Sequence, residues 1–96
     1  MPTRKIALSK SFERAYIKFT NKNPFLKSAI QKSIELLEED AYSLKLKTHK
    51  LSGNLFGLWA CSCGYDCRII FSIEPNELTK EDEILLIDIG THDEVY

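Results

Sequence analysis

Two histidines, an arginine and an aspartate are the residues of this chain whose types and surroundings suit them for chemistry. His92 stands in a polar, ionisable tail, Gly90-Thr91-His92-Asp93-Glu94-Val95-Tyr96, directly after the apolar run Ile84-Leu85-Leu86-Ile87-Asp88-Ile89. A run this apolar reads as a buried strand. Chain ends usually fray, but this strand should hold His92 at the edge of a packed sheet, which makes it an acid or base candidate. In Cys67 to Ile73, strand alternation puts Ile69, Phe71 and Ile73 on one face and Arg68, Ile70 and Ser72 on the other. Arg68 then points away from the core, where its planar fork suits a phosphate. The plainer alternative is an ion pair with Asp66 or Asp88. Lys45, Lys47, His49 and Lys50 form a small cationic patch. It would welcome a phosphate backbone, or it is an edge strand whose lysines block edge-to-edge pairing. Asp66 sits in a turn, where aspartate usually bonds to nearby backbone.

Cys61, Cys63 and Cys67 cannot all pair within one chain, and they lie within seven positions of one another. A disulfide framework is therefore not expected. Residues two apart on an extended strand are roughly 6 to 7 Å apart, awkward for two thiolates sharing a tetrahedral ion. The cysteines read instead as small apolar packing residues and no metal site is assigned. A glycine-rich phosphate loop, a nucleophile elbow and a dinucleotide fingerprint are all missing, which excludes those enzyme classes.

With 96 residues, 44% of them hydrophobic and 28% charged, the chain is expected to form one domain spanning 1–96 around one core. No apolar stretch approaches a membrane span, and Met1-Pro2-Thr3-Arg4-Lys5 leads into too few apolar residues for a signal peptide. A cytoplasmic location is the default. The net charge of −1 argues against a generally basic nucleic-acid binder, so any RNA contact must be local.

The elements that must position these residues follow from periodicity. Lys5 to Leu8 is a short strand candidate, with Ser9 or Ser11 able to cap the helix that follows. Phe12, Ala15, Tyr16 and Phe19 recur at helical spacing up to about Thr20, and Asn23 reads as the cap of a second helix with Pro24 in its first turn. Leu26, Ile30, Ile34 and Leu37 form that helix's stripe, so the two make an antiparallel hairpin. Beyond Leu44 the period changes to strand, with segments expected near Lys47 to Leu51, Leu55 to Cys63, Cys67 to Ile73 and Ile84 to Ile89. Gly53-Asn54 and Gly64-Tyr65-Asp66 are the expected tight turns, and Glu74 to Glu83 a polar link. The result is an α+β fold, an N-terminal strand and helical hairpin packed on one face of a mostly antiparallel sheet.

Four pieces occur in order: His49-Lys50-Leu51-Ser52-Gly53, Gly57-Leu58-Trp59, Gly64-Tyr65-Asp66-Cys67-Arg68-Ile69-Ile70-Phe71, and Ile87-Asp88-Ile89 followed by Gly90-Thr91-His92-Asp93-Glu94-Val95-Tyr96. Together they resemble the RelE/ParE toxin superfamily, most closely the RelE and YafQ branch of bacterial type II toxin–antitoxin systems. The resemblance implies a RelE-like microbial RNase fold and a cytoplasmic endoribonuclease that cuts messenger RNA on the 70S ribosome. It further implies no metal or other cofactor, silencing by a cognate antitoxin, and products with 2′,3′-cyclic phosphate ends. By position, His92 matches the family's C-terminal catalytic histidine, Tyr96 its terminal aromatic, His49 and Asp66 its acid/base positions and Arg68 its phosphate-contacting arginine. Lys45, Lys47 and Lys50 would assist in holding RNA. The YafQ branch carries a further histidine where this chain has Ala60-Cys61-Ser62-Cys63.

Such a reaction needs a proton removed from an internal 2′-hydroxyl and one returned to the leaving 5′-oxygen, tasks two imidazoles can divide near neutral pH. Arg68 would stabilise the charge that accumulates on the phosphoryl oxygens, and Tyr96 would stack on a base or bond the phosphate. The alternatives are a non-enzymatic ParE-like toxin gripping a protein such as DNA gyrase, or an inactive relic.

Overall fold

The computed structural model describes residues 4–96, so the reading of Met1, Pro2 and Thr3 in the N-terminal segment lies outside the described residues. Strands β1 (Lys5–Leu8), β2 (His49–Lys50), β3 (Trp59–Gly64), β4 (Cys67–Asn76) and β5 (Glu81–Gly90) form one sheet in the order β1-β5-β4-β3-β2. β2 to β5 run as an antiparallel meander, and β1 joins β5 in parallel. Helices α1 (Lys10–Lys22) and α2 (Lys27–Glu39) cover one face, as the α+β reading expected.

Local chemistry accounts for the helix ends. The Ser9 side chain accepts the Phe12 N–H at 3.0 Å and caps α1. Asn23 does not cap the second helix as expected; its side-chain amide donates to the Phe19 carbonyl at 3.0 Å and closes the first. Pro24 opens a short 3₁₀ turn, Pro24–Leu26, ahead of α2. The apolar stripes Phe12, Phe19, Leu26, Ile30 and Leu37 are buried against Cys61, Ile69, Phe71, Ile84, Leu86 and Ile89.

Three expectations about strands need correction. The strand foreseen over 47–51 shrinks to two residues, because Lys47 turns left-handed at φ 52°. The segment from Leu55 begins in a 3₁₀ turn, Gly53–Leu55, so β3 starts only at Trp59. The supposed polar link is the continuation of β4 and β5, with Glu74 opposite Glu83, Pro75 opposite Asp82 and Asn76 opposite Glu81. This stretch projects past the core, so its side chains are polar on both faces while the backbone ladder persists.

The cysteines give a further correction. Cys63 and Cys67 form a disulfide with Cα atoms 5.1 Å apart, and Cys61 alone keeps its thiol. The pairing register slips between Ser62 and Gly64, and this irregularity brings Cys63 across the turn from Cys67. Two of the three thiolates considered for zinc are thereby consumed. Burial pushes the Cys61 thiol up to about 12 despite the opposing charge of Arg68. A buried neutral thiol of this kind is chemically quiet.

Candidate active site

The open face of the sheet, opposite α1 and α2, carries the residues singled out above. Strand register fixes two rows across it: His49, Ala60, Ile70 and Asp88, and beside it Ser62, Arg68 and Gly90. The tail folds back over these rows as a short helix, α3 (His92–Val95), and Val95 packs with Ala60 and Ile70 in a second small core. A helix this short has little stability of its own, so its anchors matter.

Three anchors hold it. The Thr91 side chain accepts the Glu94 N–H at 3.2 Å while Glu94 Oε1 accepts the Thr91 N–H at 2.9 Å, a reciprocal capping box. The Thr91 N–H, above all, keeps the Glu94 carboxyl below the usual range. Asp66 Oδ1 accepts the His92 N–H at 3.1 Å across the sheet's end. Asp66 itself is left-handed at φ 48°, a conformation that aspartate tolerates better than most residues. Finally, Gly90 has no side chain where a Cβ would stand 3.2 Å from Glu94 and 3.3 Å from Val95.

Tyr96 is the hub of the site. Its hydroxyl lies 3.4 Å from His49 Nε2 and its ring meets the His92 ring edge-on, centroids 4.6 Å apart. Burial raises the phenol's pKa, and the nearby Arg68 charge opposes the rise. His49 Nδ1 is 3.0 Å from the Lys47 carbonyl. A carbonyl oxygen can only accept, so Nδ1 carries the proton and a neutral His49 presents a bare Nε2 toward Tyr96. His92 Nδ1 is 3.5 Å from Asp93 Oδ1, and its side chain is 62% exposed.

Arg68 Nη1 donates to the Cys67 carbonyl at 2.9 Å and faces Ser62 Oγ at 3.5 Å. The ion pair with Asp66 or Asp88, the alternative reading of Arg68, is not formed; the pairs among the described residues are Arg4–Asp82 and His92–Asp93. Arg68 and Lys47 instead share the wall of a hollow of about 620 Å³ with Ser62, Asp66 and Tyr65. His49 borders a second hollow, about 450 Å³, lined also by Lys50, Leu51, Tyr96 and the turn around Ser52 and Asn54. A third hollow of about 530 Å³ lies between α1 and the tail and includes neither histidine nor Arg68.

The structure therefore brings His49, Asp66, Arg68, His92 and Tyr96 to one end of the open face. It divides the lysines. Lys47 lines the Arg68 hollow, Lys50 lies over the Trp59 ring at 5.4 Å, and Lys45 is exposed on the 3₁₀ turn Leu44–Leu46. Sequence reasoning did not single out Ser62 or Tyr65, which is 94% exposed at the rim. Hairpin register around Gly64-Tyr65-Asp66 would have found Ser62, since it pairs with Arg68. Among the described residues no helix is long and apolar enough to cross a membrane, and no group of three or more His, Cys, Asp or Glu is placed to hold a metal.

Residues 4–96 match the model of a family described as the bacterial toxin of type II toxin–antitoxin system, YafQ. A solved metal-bound toxin from Helicobacter pylori is 26% identical, with TM-score 0.72, covering 97% of this chain and 99% of that one. YafQ from E. coli strain BL21(DE3) is 17% identical, with TM-score 0.77 and coverage of 97% and 98%. The toxin–antitoxin complex of E. coli DinJ and YafQ gives 18% identity, TM-score 0.75 and 98% of both chains. No curated protein gives a significant match by sequence.

Proposed function

The chain belongs to the YafQ family of bacterial toxins from type II toxin–antitoxin systems, and from that premise we propose that it is an endoribonuclease that cuts messenger RNA on the ribosome. The observation that carries this reading is the placement of Tyr96 between the two histidines beside an arginine that has no carboxylate partner among the described residues. His49 Nε2 takes the proton of the 2′-hydroxyl, the position the Tyr96 hydroxyl now faces across a long 3.4 Å contact. The 2′-oxygen attacks the adjacent phosphorus, the bond from phosphorus to the 5′-oxygen breaks, and His92 gives that oxygen its proton. Products are a 2′,3′-cyclic phosphate and a 5′-hydroxyl. Arg68, helped by Lys47, stabilises the charge on the phosphoryl oxygens. Asp66 acts as a positioning residue through the His92 backbone. Lys45 and Lys50 contribute longer-range attraction to RNA. The protein works in the cytoplasm without a metal, as a single domain, and is silenced by a cognate antitoxin, as DinJ accompanies YafQ in the E. coli complex.

The test is induction of the wild-type protein, Arg68→Ala and His92→Gln, with 5′ ends of messenger RNA mapped on translating ribosomes. Wild type alone should give new ends. Growth arrest that persists in both variants with no new ends would overturn the reading, and loss of gyrase-dependent supercoiling in its place would favour a protein-gripping toxin.

A further inference from the structure

We infer that the hollow between His49 and the Ser52–Leu55 turn is a nucleobase pocket, which reads the base on the 5′ side of the cut through Asn54 and Ser52. The inference rests on the nuclease reading and extends it to substrate choice.

Lys47 lines one hollow and His49, two residues on, lines another of different make-up. In the first stand Arg68 and Lys47, a cationic recess suited to phosphate. In the second, beside His49, Leu51 and Leu55 provide apolar walls, Tyr96 an aromatic one, Ser52 and Asn54 a polar rim, and Lys50 a single cation. The nucleotide whose 2′-hydroxyl reaches His49 Nε2 carries its own base one glycosidic bond away. With the phosphate drawn toward Arg68 and Lys47, that base falls to the hollow that His49 itself lines. There it meets apolar and aromatic surface for its faces and hydrogen-bonding groups for its edge, the combination by which unpaired RNA bases are read.

The reading groups are available, and the backbone that carries them is tied. Among the described residues, neither the Ser52 hydroxyl nor the Asn54 amide has a partner in a side-chain hydrogen bond. Asn54 both donates and accepts, so it can pair two adjacent edge atoms of a base. Its turn is tied by Leu51 N–H to the Leu58 carbonyl at 2.9 Å and Phe56 N–H to the Gly53 carbonyl at 3.1 Å. Gly53, left-handed at φ 64°, lets the chain reverse so tightly. A tied backbone limits where such a group can reach, which favours discrimination.

The experiment compares wild type, Ser52→Ala, Asn54→Ala and Asn54→Asp on messenger RNA carried by ribosomes, recording the base on the 5′ side of every cut. Wild type should favour one base there. Asn54→Ala should lower that preference about fivefold or more, Ser52→Ala should weaken it, and Asn54→Asp, which replaces donors by acceptors, should move the preference to another base. Thermal unfolding should match wild type in all three. Wild-type cutting with no preference at that position, or a preference unchanged in Asn54→Ala and Asn54→Asp, overturns the pocket while the nuclease reading stands. A wild-type protein that makes no cuts overturns the nuclease reading itself.

Discussion

Gly90→Ala separates the docking of the tail from the stability of the sheet. The added Cβ would stand 3.2 Å from both Cβ and Oε1 of Glu94 and 3.3 Å from Cγ1 of Val95, inside the roughly 3.5–4.0 Å of a relaxed carbon contact. Glu94 cannot retreat without giving up its bond to the Thr91 N–H, and Val95 is buried against Ala60 and Ile70. Holding the tail in place against that overlap costs about 1–3 kcal/mol. Lifting it away forgoes the burial of Val95, about 1.5 kcal/mol or more. The two routes are close in cost, so the substitution shifts α3 toward the undocked state, by about 5- to 150-fold in equilibrium constant for 1–3 kcal/mol. Amide hydrogen exchange reads this at Val95 and Tyr96, whose N–H groups bond the Thr91 and His92 carbonyls at 3.1 Å. Their protection should fall by that factor, the amides of Ile69 and Phe71 in β4 should keep theirs, and cleavage should fall with the tail because His92 and Tyr96 leave with it. Wild-type protection at Val95 and Tyr96, or a loosened tail with undiminished cleavage, would refute the reasoning.

Arg68→Gln should fold normally, since no ion pair is lost, yet cleave about 10²–10³-fold more slowly in single-turnover assays. Replacing Cys63 and Cys67 together by serine removes a bridge that closes a loop with sequence separation 4; a loop this short is worth about 2 kcal/mol on chain entropy, read as a lower midpoint in urea unfolding under non-reducing conditions. Cys61 is fully buried with its thiol pushed up to about 12, so iodoacetamide should label it only after denaturation. The Glu94 carboxyl is held below its usual range mainly by the Thr91 N–H. A depressed folded value means the stabilisation is present above the unfolded value and lost as pH falls through the folded one; tail protection should stay level down to the ordinary glutamate range and drop below it, and Glu94→Gln should remove that dependence.

How much of this was legible in the sequence depended on what each residue answers to. The faces of β4 could be read because Ile69, Phe71 and Ile73 alternate with Arg68 and Ser72, and burial on one face enforces a period of two. The matching pattern in β5 was obscured by a bulge at Ile87, where Ile70 opposes Asp88 but Phe71 opposes Leu86. Pro75 and the acidic residues hid the outer halves of β4 and β5, since a ladder beyond the core is held by backbone bonds that no side-chain pattern announces. The Cys63–Cys67 bridge was missed because it depends on an irregularity in register. At the site, His92 was singled out through the strand that precedes it, Arg68 through strand alternation, His49 through its lysine neighbours and Asp66 through its turn, while the roles of all four, and Tyr96 itself, came through resemblance to a family. Their convergence was not readable, because it depends on α3 turning back at Gly90 and on Lys47 turning left-handed before β2.

The central claim is the division of labour across Tyr96, with His49 as base and His92 as acid. It is tested most directly with RNA whose scissile 5′-oxygen is replaced by sulfur, a leaving group that departs without a proton. His92→Ala should cut this RNA at close to the wild-type rate while failing on ordinary RNA, and His49→Ala should fail on both. Rescue of His49→Ala instead, or of neither variant, would contradict the account.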